Sequence, residues 1–236
     1  DRERISRDGG VAYNIHENSG GLVAEACDRA GGLGYVKPLS SVDSLAAGDV
    51  VLIGTLELHP DDQVKQLSAM KEKGALAVLF GSRESAASAH ADFLIDNGLA
   101  VGLVPVMNTG SGSPVGPVAG VANVANMWAF TAELVAALTR QGKMPTMWQS
   151  MYVPGSAQRN ERIGRSMFEP DITVQPVAPG VLGRQYVDAV GSFLAGIRDS
   201  ELPLFGDAGA RCASAIDAGH KVYAYLIGHF MASQQR

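Results

Sequence analysis

The sequence predicts an α/β fold with a mostly parallel sheet flanked by helices. Two short apolar runs rich in branched residues, 49–53 and 75–80, enclose a segment whose apolar residues recur at helical spacing. Pro60 stands just before the first turn of that segment and Gly74 just after its last turn, and both are common helix boundary signals. The order strand, helix, strand, with continuously apolar strands, is typical of a parallel sheet that is covered on both faces.

The residues before this unit predict another strand and helix. Residues 11–15 (VAYNI) predict a strand, which a glycine-rich loop at 16–21 connects to a helix at about 22–30. A helix that begins beyond the carboxyl end of a strand directs free backbone N–H groups towards that end, where an anion can bind; a plain connection is the alternative. Residues 33–39 predict a short strand, and residues 40–47 a capped helical turn.

Beyond residue 80 the pattern continues with shorter elements. Residues 92–95 predict a strand and residues 101–106 an edge strand, whereas residues 108–120 are dense in Gly, Ser and Pro and predict a loop. A long helix is predicted at about 122–141, with a broad apolar face and Gly142 at its end.

The sequence predicts three parts in the chain. Residues 1–150 are predicted to form the α/β domain. Residues 151–182 contain several prolines and glycines and are predicted to form a connection or extended arm. Residues 183–236 predict two amphipathic helices followed by a strand at 220–227 (HKVYAYLI).

Composition narrows the class of protein. Of 236 residues, 46% are hydrophobic and 18% charged, as in an ordinary globular protein with a sizeable core. The net charge of −5 and the lack of a basic run argue against nucleic-acid binding. No apolar run reaches the roughly 20 residues of a membrane helix and no signal peptide is recognised, so we expect no membrane association and a cytoplasmic location. Cys27 and Cys212 lie in apolar helical patterns and are expected to be buried thiols.

Residues 11–160 resemble a sugar isomerase (SIS) domain, and more narrowly bacterial phosphosugar-binding SIS proteins of uncharacterised role. The resemblance is carried by GDVVLIG at 48–54, KEKGALAVLFGS at 71–82, ADFLIDNG at 91–98, VGPVAGVANVANMWAF at 115–130 and YVPGSAQRN at 152–160. It implies a three-layer sandwich with a five-stranded, mostly parallel sheet, and a sugar phosphate bound by hydroxyl-rich loops after the strands.

One of those loops departs from the family pattern, which is typically Ser-x-Ser-Gly-x-x. Here the loop is TLELHP, in which only Thr55 keeps a hydroxyl and Glu57 adds a negative charge. Two like charges about 4 Å apart at an effective dielectric constant near 20 repel by roughly 4 kcal/mol. Either the loop at 16–21, with Asn18 and Ser19, binds the phosphate, or the ligand is not a phosphosugar.

The ends of the chain depart from the pattern as well. An SIS domain begins with helices before its first strand, and residues 1–10 are too few to supply them. Residues 183–228 resemble that missing opening. They are either the start of a second SIS copy or a segment that completes the core in cis or across a dimer. We favour the latter because a lone apolar strand leaves two bare edges to cover.

Aldose–ketose isomerisation needs an acid and a base, and Glu57 and His59 are the candidate catalytic pair. The candidate substrate-binding residues are Asn18, Ser19, Thr55, Ser82 and Asn160. No cofactor and no metal site are expected. The expected partners are a sugar or sugar phosphate and further copies of the chain in a homodimer or larger homo-oligomer.

Three functions are compatible with this reading. The first is a sugar or sugar-phosphate isomerase. The second is a non-catalytic sugar-binding or regulatory module, supported by the altered loop at Thr55–Pro60. The third is a structural oligomerisation domain, which leaves the polar loops at 16–21 and 108–116 without a role.

Overall fold

The computed structural model describes residues 20–56, 60–101, 105–108 and 114–223. The chain divides into two compact units, residues 1–183 and 184–236. The first unit is a mixed α/β structure around a parallel sheet of three strands in the order β1, β2, β3. Its strands and helices are β1 Val50–Gly54, β2 Leu76–Gly81, β3 Phe93–Asp96, β4 Pro105–Asn108, β5 Pro114–Pro117, α1 Gly20–Asp28, α2 Pro60–Glu72, α3 Ala119–Arg140 and α4 Ser156–Asn160.

The predicted strand, helix and strand are confirmed as β1, α2 and β2. β1 and β2 pair in parallel from Val50 opposite Leu76 to Gly54 opposite Phe80. Asp61 and Asp62 occupy the first turn of α2 and Lys71 its last turn, an arrangement that complements the helix dipole. Gly74 ends the helix with a φ of 75°, which a residue with a side chain rarely adopts.

The core is centred on β2. Leu79 and Phe80 point to opposite faces of the sheet and both are fully buried, so both faces of β2 are covered. Phe80 packs edge to face on Phe130 of α3, with ring centroids 5.7 Å apart. Each fully buried side chain of this size contributes about 1.5–3 kcal/mol of hydrophobic free energy. The remaining core comes mainly from α1, α2 and α3, through Leu22, Val23, Cys27, Leu67, Met70 and Met127.

Two predicted strands differ from the structure. Residues 33–39 form an isolated bridge at Leu33, a turn at 34–35 and irregular backbone at 36–39. Gly34 N–H donates to the carbonyl of Thr146 at 2.8 Å and Leu33 bridges Met147, so the start of this segment bonds to a later loop. The predicted loop at 108–120 is wrong in part. β5 lies within it and pairs antiparallel with β4, and α3 begins at Ala119. The predicted edge strand at 101–106 is shifted to β4, which pairs with β5 in a separate sheet.

Residues 144–179 carry one short helix, α4, and otherwise no regular element. They are nevertheless bonded to the rest of the first unit. Thr146 is fully buried, its carbonyl accepts from the N–H of Gly34 at 2.8 Å, and the N–H of Trp148 donates to the carbonyl of Gly32 at 2.9 Å. The composition predicted a connection, and hydrogen bonds of the backbone hold that connection in place.

The two helices predicted near the C-terminus run together. α5 Val181–Gly196 continues through a π-helical segment, Ile197–Glu201, into α6 Leu202–Asp217. Cys212 is exposed, contrary to expectation, whereas Cys27 is buried. The described part of the predicted strand at 220–227, residues 220–223, is not a strand, and the rest lies outside the described residues. Completion of the core by this segment stays a prediction.

One helix of the described residues, α3, is long and apolar enough by length and composition to cross a membrane. The core helix of a soluble protein passes the same test. Met127 and Ala136 of α3 are fully buried, and Trp128 donates through Nε1 to the Glu25 carboxylate of α1 at 3.3 Å. α3 therefore takes part in the packing of the first unit.

Candidate polar site at the carboxyl edge of the sheet

The polar residues of the first unit gather where the three parallel strands end. Thr55 follows β1, Ser82 follows β2, and Asp96 is the last residue of β3. Because parallel neighbours end at the same edge, these residues lie side by side, as in α/β proteins that bind ligands there. The structure thus brings Thr55 and Ser82 together. The candidates Asn18, Ser19, Glu57 and His59 lie outside the described residues.

Thr55 is only 4% exposed and is held on both sides. Its hydroxyl donates to Oε1 of Gln63 in the first turns of α2 at 2.6 Å. Its carbonyl accepts a hydrogen bond from Nδ2 of Asn123 in α3 at 2.9 Å. A methyl group on Gly81 would stand 2.4 Å from Thr55 Cγ2, so the absence of a side chain at Gly81 leaves the room that Thr55 occupies.

Gln63 is also buried, with 6% exposure. Its Nε2 is a buried side-chain nitrogen without a hydrogen-bond partner in the described part of the chain. A buried donor that lacks a partner destabilises the folded state by about 1–3 kcal/mol. The oxygen of the Gln63 amide therefore orients the Thr55 hydroxyl, while the nitrogen of the same amide lacks a partner among the described residues.

Two asparagines of α3 tie the edge together. Asn123 accepts at Oδ1 from Nδ2 of Asn97 at 3.0 Å while it donates to Thr55. Asn126 donates through Nδ2 to the carbonyl of Asp96 at 3.0 Å. Neither residue was predicted from the sequence as part of a site. Two asparagines three positions apart on a mostly apolar helix could have indicated them, because buried asparagine side chains are nearly always hydrogen-bonded to other polar groups.

Ser82 is buried and its hydroxyl is engaged twice. Oγ donates to the carbonyl of Leu99 at 2.5 Å and accepts from the N–H of Glu84 at 3.2 Å. These bonds fix the loop after β2 against the loop after β3. Because a hydroxyl oxygen has two lone pairs, Ser82 could accept a further hydrogen bond from a ligand while it keeps both of these bonds.

The edge carries one exposed ion pair, between Arg83 Nε and Asp96 Oδ2 at 2.5 Å. The hydrogen bond from the Arg83 side chain, followed by the N–H of Gly98, lowers the pKa of Asp96 below its ordinary value. Asp96 is therefore an ionised carboxylate at neutral pH and a weak base. Gly98, with a φ of 73°, forms the turn that directs its N–H towards this carboxylate.

Asn160, a further predicted ligand residue, performs a structural role in α4. Its Nδ2 donates to the carbonyl of Gln149 and its Oδ1 accepts from the N–H of the same residue, both at 2.9 Å. The structure gives no contact between Asn160 and the described residues of the carboxyl edge. A role in sugar binding stays a prediction for Asn160.

The described edge is suited to binding a polar, largely uncharged group. It offers amides and hydroxyls that are oriented by their neighbours, and of these residues Thr55, Ser82 and Asn123 are buried. No group of three or more His, Cys, Asp or Glu side chains that could hold a metal occurs among the described residues.

In comparisons with known proteins, the chain matches no protein-family model and no curated protein.

Proposed function

We propose that this chain is a sugar- or sugar-phosphate-binding protein of the SIS type, which holds its ligand at the carboxyl edge of β1, β2 and β3. The observation that carries the proposal is the cluster of Thr55, Ser82, Asn97 and Asn123 at that edge. Hydroxyl and amide side chains are the groups that recognise sugar hydroxyls, and the strands and α3 hold them in fixed positions.

The proposal includes a larger sheet than the described one. Leu22, at the start of α1, lies against the end of β1, where a methyl group on Gly54 would stand 2.9 Å from Leu22 Cδ1. A strand at 11–15 that leads into α1 would arrive beside β1 and extend the parallel sheet. Five strands in a three-layer sandwich are the architecture that the SIS resemblance implies.

Binding without catalysis is favoured by the chemistry of the described edge. Asp96 is paired with Arg83, and its lowered pKa makes it a poor base. Isomerisation would therefore depend on Glu57 and His59. The second candidate function is an aldose–ketose isomerase that uses this pair, with one residue moving a proton between adjacent carbons and the other opening the ring.

A thermal-shift screen tests binding. Fructose 6-phosphate, glucosamine 6-phosphate and sedoheptulose 7-phosphate are compared with the unphosphorylated sugars, and any hit is assayed for isomerisation by NMR. We expect at least one sugar to raise the Tm, because a ligand that binds only the folded state stabilises it. Conversion of a stabilising sugar into its isomer would establish the isomerase activity. If no sugar in either set stabilises the protein, the proposed function is wrong.

A further inference from the structure

The helix of the second unit displays a continuous apolar stripe. α5, the π-helical segment and α6 run without a break from Val181 to Asp217, a length of about 55 Å. Along it, apolar or small residues alternate three and four positions apart, which is the heptad spacing of helices that pair. The stripe consists of Val187, Val190, Leu194, Ile197, Leu202, Phe205, Gly209 and Cys212.

The π-helical segment keeps this stripe on one side of the helix. The step from Ile197 to Leu202 is one residue longer than the heptad allows, and in a regular α-helix it would rotate the second half of the stripe by about 100°. A π-helical turn accommodates one extra residue and removes that rotation. Pro203 explains the position of the segment, because proline lacks the N–H that would bond to the carbonyl four residues earlier.

Within the second unit most of the stripe is exposed, and Val190 and Ile197 are half-buried. Val187 is 56%, Leu194 55%, Leu202 53% and Phe205 54% exposed, and no residue of α6 is buried. With Phe193 at its flank, 68% exposed, these side chains present on the order of 100 Å² each, or about 600 Å² per copy with the remaining stripe residues. Two such surfaces would bury about 1,200 Å², the lower bound for a stable specific interface.

We propose that the stripe pairs with the same stripe of a second copy of this chain, with the two helices antiparallel. This proposal does not depend on the sugar-binding function. Antiparallel pairing with the two-fold axis at the π-helical segment brings Val190 opposite Gly209, Leu194 opposite Phe205, and Ile197 opposite Leu202 of the second copy. Each layer then joins the first apolar position of the heptad in one helix to the second apolar position in the other helix, as antiparallel helix pairs require.

Residue sizes and charges favour this orientation over a parallel one. Two of the four antiparallel layers combine a larger with a smaller residue, Val187 with Cys212 and Val190 with Gly209, and at the flank Phe193 meets Ala208. A parallel pair would set Gly209 against Gly209, which leaves a void. It would also set Asp217 against Asp217, whereas the antiparallel pair brings Asp217 to the helix end that carries Arg184.

Disulfide cross-linking of the full chain tests the register. In the proposed pair Val187 lies opposite Cys212 of the second copy, within the Cα separation that a disulfide needs. Val187→Cys, oxidised with copper phenanthroline, should give a covalent dimer of at least about half of the protein, because the two thiols lose their protons and electrons to the oxidant at adjacent positions. Ser192→Cys is the matched control, since Ser192 lies on the opposite side of the helix and should cross-link far less.

Sedimentation of the unmodified chain, with a glycine pair as a second test, makes the proposal falsifiable without cysteine chemistry. Gly209 and Gly196 both have open space around them, so glutamate fits at either position within one chain. Gly209→Glu places an unpaired charge opposite Val190 of the second copy and should weaken dimerisation at least about tenfold, whereas Gly196→Glu, off the stripe, should leave it unchanged. A monomer at 100 µM, a Cys212–Cys212 cross-link in the unmodified chain, or equal cross-linking of the Val187→Cys and Ser192→Cys chains would overturn the proposal.

Discussion

Among single residues, Asn123 makes the contacts that most directly determine the geometry of the carboxyl edge. Its amide bonds to Thr55 after β1 and to Asn97 after β3, from a position on α3 that is 3% exposed. Gln63 contrasts with it, because the oxygen of the Gln63 amide is bonded whereas its nitrogen has no partner among the residues that the structure describes. The two residues are equally buried but should differ in what their removal costs.

We therefore expect unequal effects on the free energy of unfolding. Asn123→Leu removes the two hydrogen bonds that join Asn123 to the Thr55 carbonyl and the Asn97 amide and should destabilise the protein by about 2–4 kcal/mol. Gln63→Met removes the acceptor of the Thr55 hydroxyl, which is destabilising, together with the unsatisfied Gln63 nitrogen, which is stabilising, so stability should change by less than about 1 kcal/mol. Urea unfolding followed by circular dichroism measures both, and a larger loss for Gln63→Met would contradict the assignment.

Asp96 allows a prediction about pH. Its pKa in the folded chain is lowered by Arg83, so its contribution to stability is fully present above the pKa of the unfolded chain and is lost as the pH falls through the folded value. Arg83→Gln should raise the pKa of Asp96 towards its ordinary value and make the loss of stability in acid shallower. A ¹³C NMR titration of the carboxyl group checks this. Arg198→Gln, which removes a separate exposed pair with Asp199, should leave the Asp96 titration unchanged.

Among the elements, β1, α2 and β2 show what the sequence could predict. Apolar runs with local boundary signals were sufficient to predict all three, because those signals are contained in the elements themselves. The pairing of β4 with β5 was not predicted, since Pro114, Gly116 and Pro117 are typical of a loop and only the partner strand supplies the missing order. The same limit applies to Asn123 and Asn126, whose partners lie far away along the chain.

The contact between β1 and β2 at Gly81 gives a prediction at this scale. Gly81→Ala places a methyl group against Thr55, where only a shift of the side chain or strand relieves the overlap, and should destabilise the protein by about 1–3 kcal/mol. Gly120→Ala in α3 is the matched control. Its surroundings are open, and alanine favours the helix, so stability should rise by up to about 1 kcal/mol. Equal effects on the Tm would show that Thr55 does not occupy this space.

In the whole molecule, binding and assembly are assigned to different units. The carboxyl edge lies in the first unit, and the apolar stripe lies in the second. Ligand affinity and dimerisation should therefore respond to different substitutions. We expect Gly209→Glu to weaken the dimer while the Tm shift caused by a bound sugar is retained, and Asn97→Ala to reduce that Tm shift while the dimer is retained. Thermal shift and sedimentation velocity on both variants measure the two properties, and loss of both in one variant would contradict the separation.

The central claim is that a sugar binds at the carboxyl edge, and NMR mapping tests it most directly. The sugar with the largest thermal shift is titrated into ¹⁵N-labelled full-length protein. We predict that the largest chemical-shift changes occur at the backbone amides of Thr55, Ser82 and Asn97 and at the side-chain amide of Asn123. Shifts confined to residues 184–223, or no shift with any sugar that was screened, would contradict it.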